Sequence, residues 1–286
     1  MLATAIIVFR EVLEAALIVG IVLAASRGIA HRGAWVAGGI AAGAIGATLV
    51  AAGAETIAAA AAGMGQELFN ATILLAAVAM LGWHNIWMTT HGREMATAAN
   101  RLGSEVRDGA RPLWALALVV GLAVLREGSE VVLFLYGIAA TAEGAGGMAL
   151  GGALGVLGGV AAGAALYYGL VSIPLRHLFA VTGWMVLLLA AGMAAQAASF
   201  LVQADLLPPL GNQVWDTSFL LTDDGLVGKV LHTLIGYTAQ PAGIQVVFYV
   251  ATLIVIGGLM LLTGQVRGSA VNARRPERQS QAGPAE

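Results

Sequence analysis

The chain has 286 residues and a formal net charge of -2, with 59% hydrophobic and only 10% charged residues. Soluble domains carry roughly 25% charged side chains, so this composition excludes a soluble enzyme, a nucleic-acid binder and a disordered protein. With a mean hydropathy of +0.85, the chain is predicted to be an all-α polytopic membrane protein.

Seven apolar segments reach the length of about 20 residues that a spanning helix needs. Most of the Arg residues lie in the first, third and fifth loops and in the C-terminal tail. The positive-inside rule therefore predicts an N-terminus outside and a cytoplasmic C-terminus, which requires an odd number of spans. The seven predicted spans are 2–25, 34–54, 68–90, 113–140, 147–171, 178–201 and 244–264.

The first and fourth spans each carry an Arg-Glu-x-x-Glu motif in their middle. Each charge at the bilayer centre costs about 2.5–3.5 kcal/mol, so these groups are expected to face inward, to pair and to serve a function. At helical spacing the two glutamates of a motif share one face, and the arginine lies one turn from the second glutamate. The motif residues are Arg10, Glu11 and Glu14 in the first span and Arg126, Glu127 and Glu130 in the fourth.

The second and fifth spans have small residues at every fourth position, a pattern that lets helix backbones approach closely. The glycine ladder of the fifth span fits packing within one chain or between two chains. Gly128, inside the second motif, fits either local unwinding of the helix or close packing. The small residues are Gly39, Gly43, Ala47 and Ala51, and Gly147, Gly151, Gly155, Gly159 and Gly163.

His84 lies toward the inner end of the third predicted span, beside Trp83 and Trp87. Aromatic residues collect at membrane interfaces. We therefore expect His84 to be interfacial or hydrogen-bonded rather than a metal ligand.

The sixth loop, 202–243, is the only long one, and Leu226–Ile235 within it is predicted to form a short amphipathic helix on the outer surface. Acidic residues here would concentrate cations at an entrance, although a generic solvated face is the alternative. The candidate entrance residues are Asp216, Asp223 and Asp224. The polar segment 265–286 is predicted to be a disordered cytoplasmic tail.

The recurrence of the motif and of the glycine-rich spans predicts an internal repeat. Three spans are an odd number, so the second copy is inverted, as in many transporters with a substrate site at the midplane. The predicted units are a first repeat at 1–112, a second at 113–201, the acidic extracytoplasmic loop 202–243, the seventh span 244–264 and the tail 265–286.

The four motif glutamates offer up to eight oxygens, a ligand set for hard cations. The candidate metal ligands are Glu11, Glu14, Glu127 and Glu130, with Arg10 and Arg126 as ion-pair support. Residue spacing therefore indicates a hard-cation transporter. A scaffold subunit, in which each motif is only a buried ion pair between helices, remains the alternative.

The sequence resembles the oxidase-dependent iron permease family, which includes fungal high-affinity iron permeases and bacterial EfeU-type transporters. Both motifs and the outer segment 214–245 carry this resemblance. It implies import of iron, expected as ferric ion, across a bacterial inner membrane. It also implies the motif glutamates as ligands, no cofactor, and an extracytoplasmic iron oxidase or iron-delivery protein as a partner besides the lipid bilayer.

Two other readings of the carboxylates stay open. One is a transporter of another cation, such as lead or manganese. The other is a membrane-embedded carboxylate metalloenzyme, which is disfavoured because no Glu in the chain is followed three residues later by His, the pairing found in di-iron helix bundles.

Overall fold

The computed structural model describes residues 1–61, 65–139, 144–169, 175–223 and 225–263, and the regular secondary structure of these residues is helical. Asp224 and the predicted tail 265–286 lie outside the described residues. The helices are α1 (Leu2–Ala25), α2 (Arg32–Ala61), α3 (Gln66–Arg107), α4 (Trp114–Ala139), α5 (Ala145–Tyr167), α6 (Leu175–Gln203), α7 (Leu226–Ile235) and α8 (Gly243–Thr252), which continues as a π-helical turn, Leu253–Gly257.

Five of the described helices contain segments long and apolar enough to cross a membrane. These segments are Arg32–Ala54, Gln66–Met88, Ala145–Tyr167, Ala180–Gln203 and Gly243–Thr263. Helices α1 and α4 have 24 and 26 residues, but each carries the three charges of its motif. The chain is thus a polytopic α-helical membrane protein.

Glycines determine which helices pack together. α1 packs on α5, and α2 packs on α4. A Cβ atom on Gly155 or Gly159 of α5 would lie only 2.7 Å from Cβ of Val8 or 2.8 Å from Cβ of Val12 on α1. On the other pair, a Cβ on Gly43 would lie 2.8 Å from Cβ of Val124. The glycine ladder of the fifth span therefore serves packing within the chain.

Gly128 serves close packing rather than unwinding. Helix α4 is continuous through the second motif. A Cβ on Gly128 would lie 2.7 Å from Cβ of Ala47 on α2. A larger side chain at this position would push α2 away from α4.

Helix α3 is longer than its predicted span 68–90, because it runs on to Arg107 and takes up most of the predicted basic loop. The connection between the third and fourth predicted spans is therefore largely helical. Ala99, Leu102 and Val106 recur at helical spacing and are buried against Val22 of α1 and Leu116 of α4. An apolar stripe of this kind stabilises a helix by packing even outside a predicted span.

Between α6 and α8, the described residues 204–223 and 225–242 form one further helix and several backbone contacts. Helix α7 has the predicted bounds, Leu226–Ile235, and packs on α6 and α1. Helix α7 ends at Gly236, whose φ is +68°. Gly236 contacts Gly192, which lies in the interior of α6 and not near the end of that helix at Gln203. Two hydrogen bonds join the residues before α7 to those after it. The backbone N–H of Val214 donates to the Pro241 carbonyl over 2.9 Å, and that of Thr217 donates to the Ala239 carbonyl over 3.0 Å.

Candidate metal centre

The four motif glutamates converge where α1 faces α4. Glu11, Glu14 and Glu127 are 1%, 3% and 3% exposed, and the Glu130 side chain is 16% exposed. Their spacing on each helix puts both carboxylates of a motif on the face turned toward the other motif. The structure thus brings together the four residues that the sequence predicts as ligands.

His84 of α3 contacts glutamates from both motifs. Its Nε2 lies 3.6 Å from Glu11 Oε2 and 3.6 Å from Glu14 Oε2, and its Nδ1 contacts the carboxylate of Glu130. The side chain is 3% exposed, so of the two environments expected from the sequence, interfacial or hydrogen-bonded, the interfacial one is wrong. A usable signal was present, because an ionisable residue within an apolar span is by default a candidate functional residue.

A compact donor set lies at the centre of this cluster. One ligand atom each from Glu11, His84, Glu127 and Glu130 can be chosen so that all four lie within 4.8 Å of one another. Ligands on opposite sides of one cation are separated by about 4–5 Å, twice a typical metal–oxygen distance. The set of three carboxylates and one imidazole fits one cation, and Glu14 lies beside it rather than in it.

Within the described part of the chain, three buried carboxylate oxygens of the cluster have neither a hydrogen bond nor an arginine partner. These are Oε2 of Glu11, of Glu14 and of Glu127. An unsatisfied buried polar group costs about 1–3 kcal/mol. Carboxylates left in this way are suited to binding a cation.

The motif arginines pair as helical spacing predicts, although their surroundings differ. Arg10 Nε lies 3.1 Å from Glu14 Oε1, and Arg126 Nε donates to Glu130 Oε1 over 3.1 Å. Arg126 also stacks its guanidinium over the Trp87 ring, 4.0 Å from the ring centre. Each arginine therefore compensates one carboxylate of its motif and leaves the other in excess.

A groove of about 520 Å³ lies between the α1–α5 and α2–α4 pairs, and Glu11 and Glu127 are among the residues that line it. Its walls are otherwise mostly apolar, with Val131, Val156 and Tyr167 among them. Such walls offer no substitute for the hydration shell of an ion. The ligands for an ion therefore lie at the cluster and not along this groove.

The described entrance candidates have other partners. Asp216 accepts hydrogen bonds from the Ser218 hydroxyl (2.5 Å), the Ser218 backbone N–H (2.9 Å) and the Gln240 side chain (3.0 Å). The Ser218 hydroxyl holds the pKa of Asp216 below its ordinary value. Asp223 accepts from the Ala239 N–H over 2.9 Å. Both aspartates fasten the loop and are exposed, away from the buried cluster; Asp224 is outside the described residues.

Comparison with known proteins shows the family to which the chain is similar. The model of the iron permease FTR1 family matches residues 1–270. The chain is 31% identical to the "Ferrous iron permease EfeU" of Yersinia pestis over 277 residues, which is 94% of this chain and 97% of that protein. It is also 31% identical to the protein of the same name from Escherichia coli O6:H1 over 265 residues, 87% and 91% of the two chains. No solved structure matches the chain significantly.

Proposed function

The chain belongs to the iron permease FTR1 family, whose members are transporters rather than enzymes, and on this basis we propose that it moves iron into the cytoplasm through the buried glutamate cluster. The resemblance seen in the sequence is thereby confirmed, and the metalloenzyme reading is overturned. The observation that carries the proposal is the convergence of both motifs on one compact donor set, Glu11, Glu127 and Glu130 with His84.

We propose ferrous iron as the ion that enters the site, although the sequence resemblance implied ferric iron. The relatives are named ferrous iron permeases. The two motifs together hold four carboxylates and two arginines, a nominal charge of -2. A divalent cation balances this charge, whereas a trivalent one leaves an excess positive charge in a low-dielectric interior.

The proposed architecture is seven spans, arranged as three plus three inverted helices and one added helix. In a repeat of three helices, α1, α2 and α3 correspond to α4, α5 and α6. A contact between α1 and α5 then requires an equivalent contact between α4 and α2, and both are present. Corresponding helices also contact each other in the pairs α1–α4 and α3–α6. We include α1 and α4 among the spans because their charged groups face the cluster and one another.

In this proposal the chain's own residues replace water around the ion. The carboxylates of Glu11, Glu127 and Glu130 supply oxygens, and Glu14 lies one turn along α1 as the next acceptor. Arg10 and Arg126 limit repulsion among the carboxylates when no cation is present. Movement of one repeat against the other would then expose the site to either side in turn.

We propose the location and the partners from membership of the iron permease family. The matched relatives are bacterial, so we place the chain in the bacterial inner membrane with its N-terminus outside. The loop between α6 and α8 then lies on the extracytoplasmic side. An iron-delivery protein on that side would supply ferrous iron, whereas the iron oxidase expected from the sequence resemblance would supply ferric iron and does not fit a ferrous site.

The test is uptake of radiolabelled iron into proteoliposomes, given as ferrous iron with ascorbate or as ferric citrate. The wild-type protein is compared with Glu11→Gln/Glu127→Gln and with Glu67→Gln, whose side chain is exposed at the start of α3. We expect ferrous uptake that is lost in the double variant and kept in Glu67→Gln. Uptake by the double variant would overturn the site, and transport of only manganese or lead would overturn iron as the substrate.

A further inference from the structure

We infer that His84 is a metal ligand shared by the two motifs, and that it makes the site select first-row transition ions over Mg²⁺ and Ca²⁺. This inference rests on the proposed function, since it concerns the ion bound at the glutamate cluster. It adds a residue from a third helix, outside both motifs, to the selection of the transported ion.

His84 lies between Glu11 and Glu14 of α1 on one side and Glu130 of α4 on the other. Nε2 faces Glu11 and Glu14 of α1 at 3.6 Å each, and the opposite ring nitrogen contacts Glu130 of α4. A separation of 3.6 Å is too long for a hydrogen bond. It is the kind of separation that two ligands of one cation have, since each lies about 2.0–2.6 Å from the ion.

The imidazole ring is held in this orientation by packing. Phe134, which is 0% exposed, lies one turn beyond Glu130 on α4. Its ring meets the His84 ring edge-on, with centroids 6.4 Å apart and an interplanar angle of 81°. A ligand whose ring is fixed by its neighbours loses little freedom when a metal binds.

A purely structural role explains His84 less well. Attachment of α3 to its neighbours is already provided by the next residue, because Asn85 Nδ2 donates to the Gly183 carbonyl of α6 over 2.9 Å. If His84 only fastened helices, one partner would suffice, whereas its two ring nitrogens face carboxylates from both motifs.

The chemistry of the donor set gives the consequence for selectivity. Carboxylate oxygens alone suit Mg²⁺, Ca²⁺ and Mn²⁺, whereas an imidazole nitrogen suits iron, zinc, copper and nickel. With His84 removed, the remaining ligands are glutamates only. His84 is thus the one member of the compact donor set of Glu11, His84, Glu127 and Glu130 that distinguishes ferrous iron from the alkaline-earth ions.

The test is competition binding to the full chain in detergent under anaerobic conditions, with Fe²⁺ as the probe and Ca²⁺ and Mg²⁺ as competitors. The variant is His84→Gln, and the matched control is His91→Gln on the same helix, whose ring stacks on Trp87 with centroids 4.9 Å apart. We expect the Fe²⁺ to Ca²⁺ affinity ratio to fall at least tenfold in His84→Gln and to be unchanged in His91→Gln. An unchanged ratio in His84→Gln would overturn the inference.

A second measurement uses the wild-type protein and does not depend on the variant's folding. X-ray absorption of bound Fe²⁺ should show the multiple-scattering pattern of an imidazole ligand, and its absence would overturn the inference. Either negative result leaves the proposed function standing if the wild-type protein binds and transports iron. Failure of the wild-type protein to bind or transport iron is instead a failure of the proposed function.

Discussion

Arg10 and Arg126 hold equivalent positions in the two motifs, but only Arg10 is sealed inside the helices. The Arg10 side chain is 3% exposed and the Arg126 side chain 31% exposed. Arg10 lies within 3.5 Å of both glutamates of its own motif. Helices α1 and α4 therefore share a motif but not the same electrostatic surroundings.

Replacement of Arg10 should destabilise the protein more than replacement of Arg126. Arg10→Ala leaves Glu11 and Glu14 buried without their cation, and removing one partner of a buried pair costs about 3–5 kcal/mol. Arg126→Ala loses a partly exposed pair and a cation–π contact of about 0.5–2 kcal/mol. The loss of stability in each variant is measured by thermal unfolding in detergent and by the amount of protein inserted in the membrane. Equal losses in the two variants would contradict the difference in burial.

Glu130→Gln should insert normally and lower Fe²⁺ uptake at least tenfold. The change keeps the size of the side chain but removes the charge from a carboxylate that contacts both His84 and Arg126. Glu14→Gln should have a smaller effect, because Glu14 lies beside the compact donor set rather than in it. A larger loss in Glu14→Gln would place the ion nearer to α1 than we propose.

Gly155→Ala and Gly152→Ala should change stability in opposite directions. A Cβ on Gly155 would lie 2.7 Å from Val8 Cβ and 2.8 Å from the Ala5 carbonyl oxygen, and such overpacking costs about 1–3 kcal/mol. A Cβ on Gly152 meets no atom within 4 Å among the described residues. Alanine is the better helix former by about 0.5–1 kcal/mol, so Gly152→Ala should raise the unfolding temperature. Equal shifts would mean that α5 does not dock on α1 through this ladder.

Gly236→Ala should destabilise the segment that follows α7 more than Gly109→Ala destabilises its own turn. Both glycines have positive φ, +68° and +77°, and an alanine in this conformation costs about 1–2 kcal/mol. Only at Gly236 would the new Cβ also crowd a backbone atom, 2.5 Å from Gly192 Cα. The unfolding temperature of each variant is measured in detergent. Gly109→Ala gives the cost of backbone strain alone, and any further loss in Gly236→Ala is the cost of crowding. Similar losses would show that α6 and α7 are not in close contact.

The outer segment should lose protection in acid because of Asp216. Its pKa is lowered mainly by the Ser218 hydroxyl, from an ordinary value of 3.8. A lowered folded pKa means that the carboxylate's contribution is fully present above the ordinary value and is lost as the pH falls through the lowered one. Hydrogen exchange at the Ser218 amide of the wild-type protein should therefore become faster below pH 3.8 than the pH dependence of exchange in an unstructured peptide accounts for. Asp216→Asn should show no such pH-dependent step.

Local patterns in the sequence determined much of this protein. The apolar runs predicted the spans, and i, i+3 and i, i+4 spacing predicted which motif side chains share a face and which pair. The amphipathic pattern of Leu226–Ile235 predicted helix α7. These features depend on residues a few positions apart along one helix, so the spacing in the sequence contains them.

Only the tertiary structure decided which faces of the helices meet. Helix α3 is apolar around much of its circumference in the span Gln66–Met88, so no stripe in its sequence shows that His84 turns toward α1 and α4. Tertiary contacts likewise decided which helices pack on the glycine ladder and how far α3 extends, to Arg107. Rotation of one helix about its axis relative to its neighbours is fixed by contacts between residues far apart in the chain. The two motifs alone therefore predicted four ligands, and the packing of α3 placed a histidine among them.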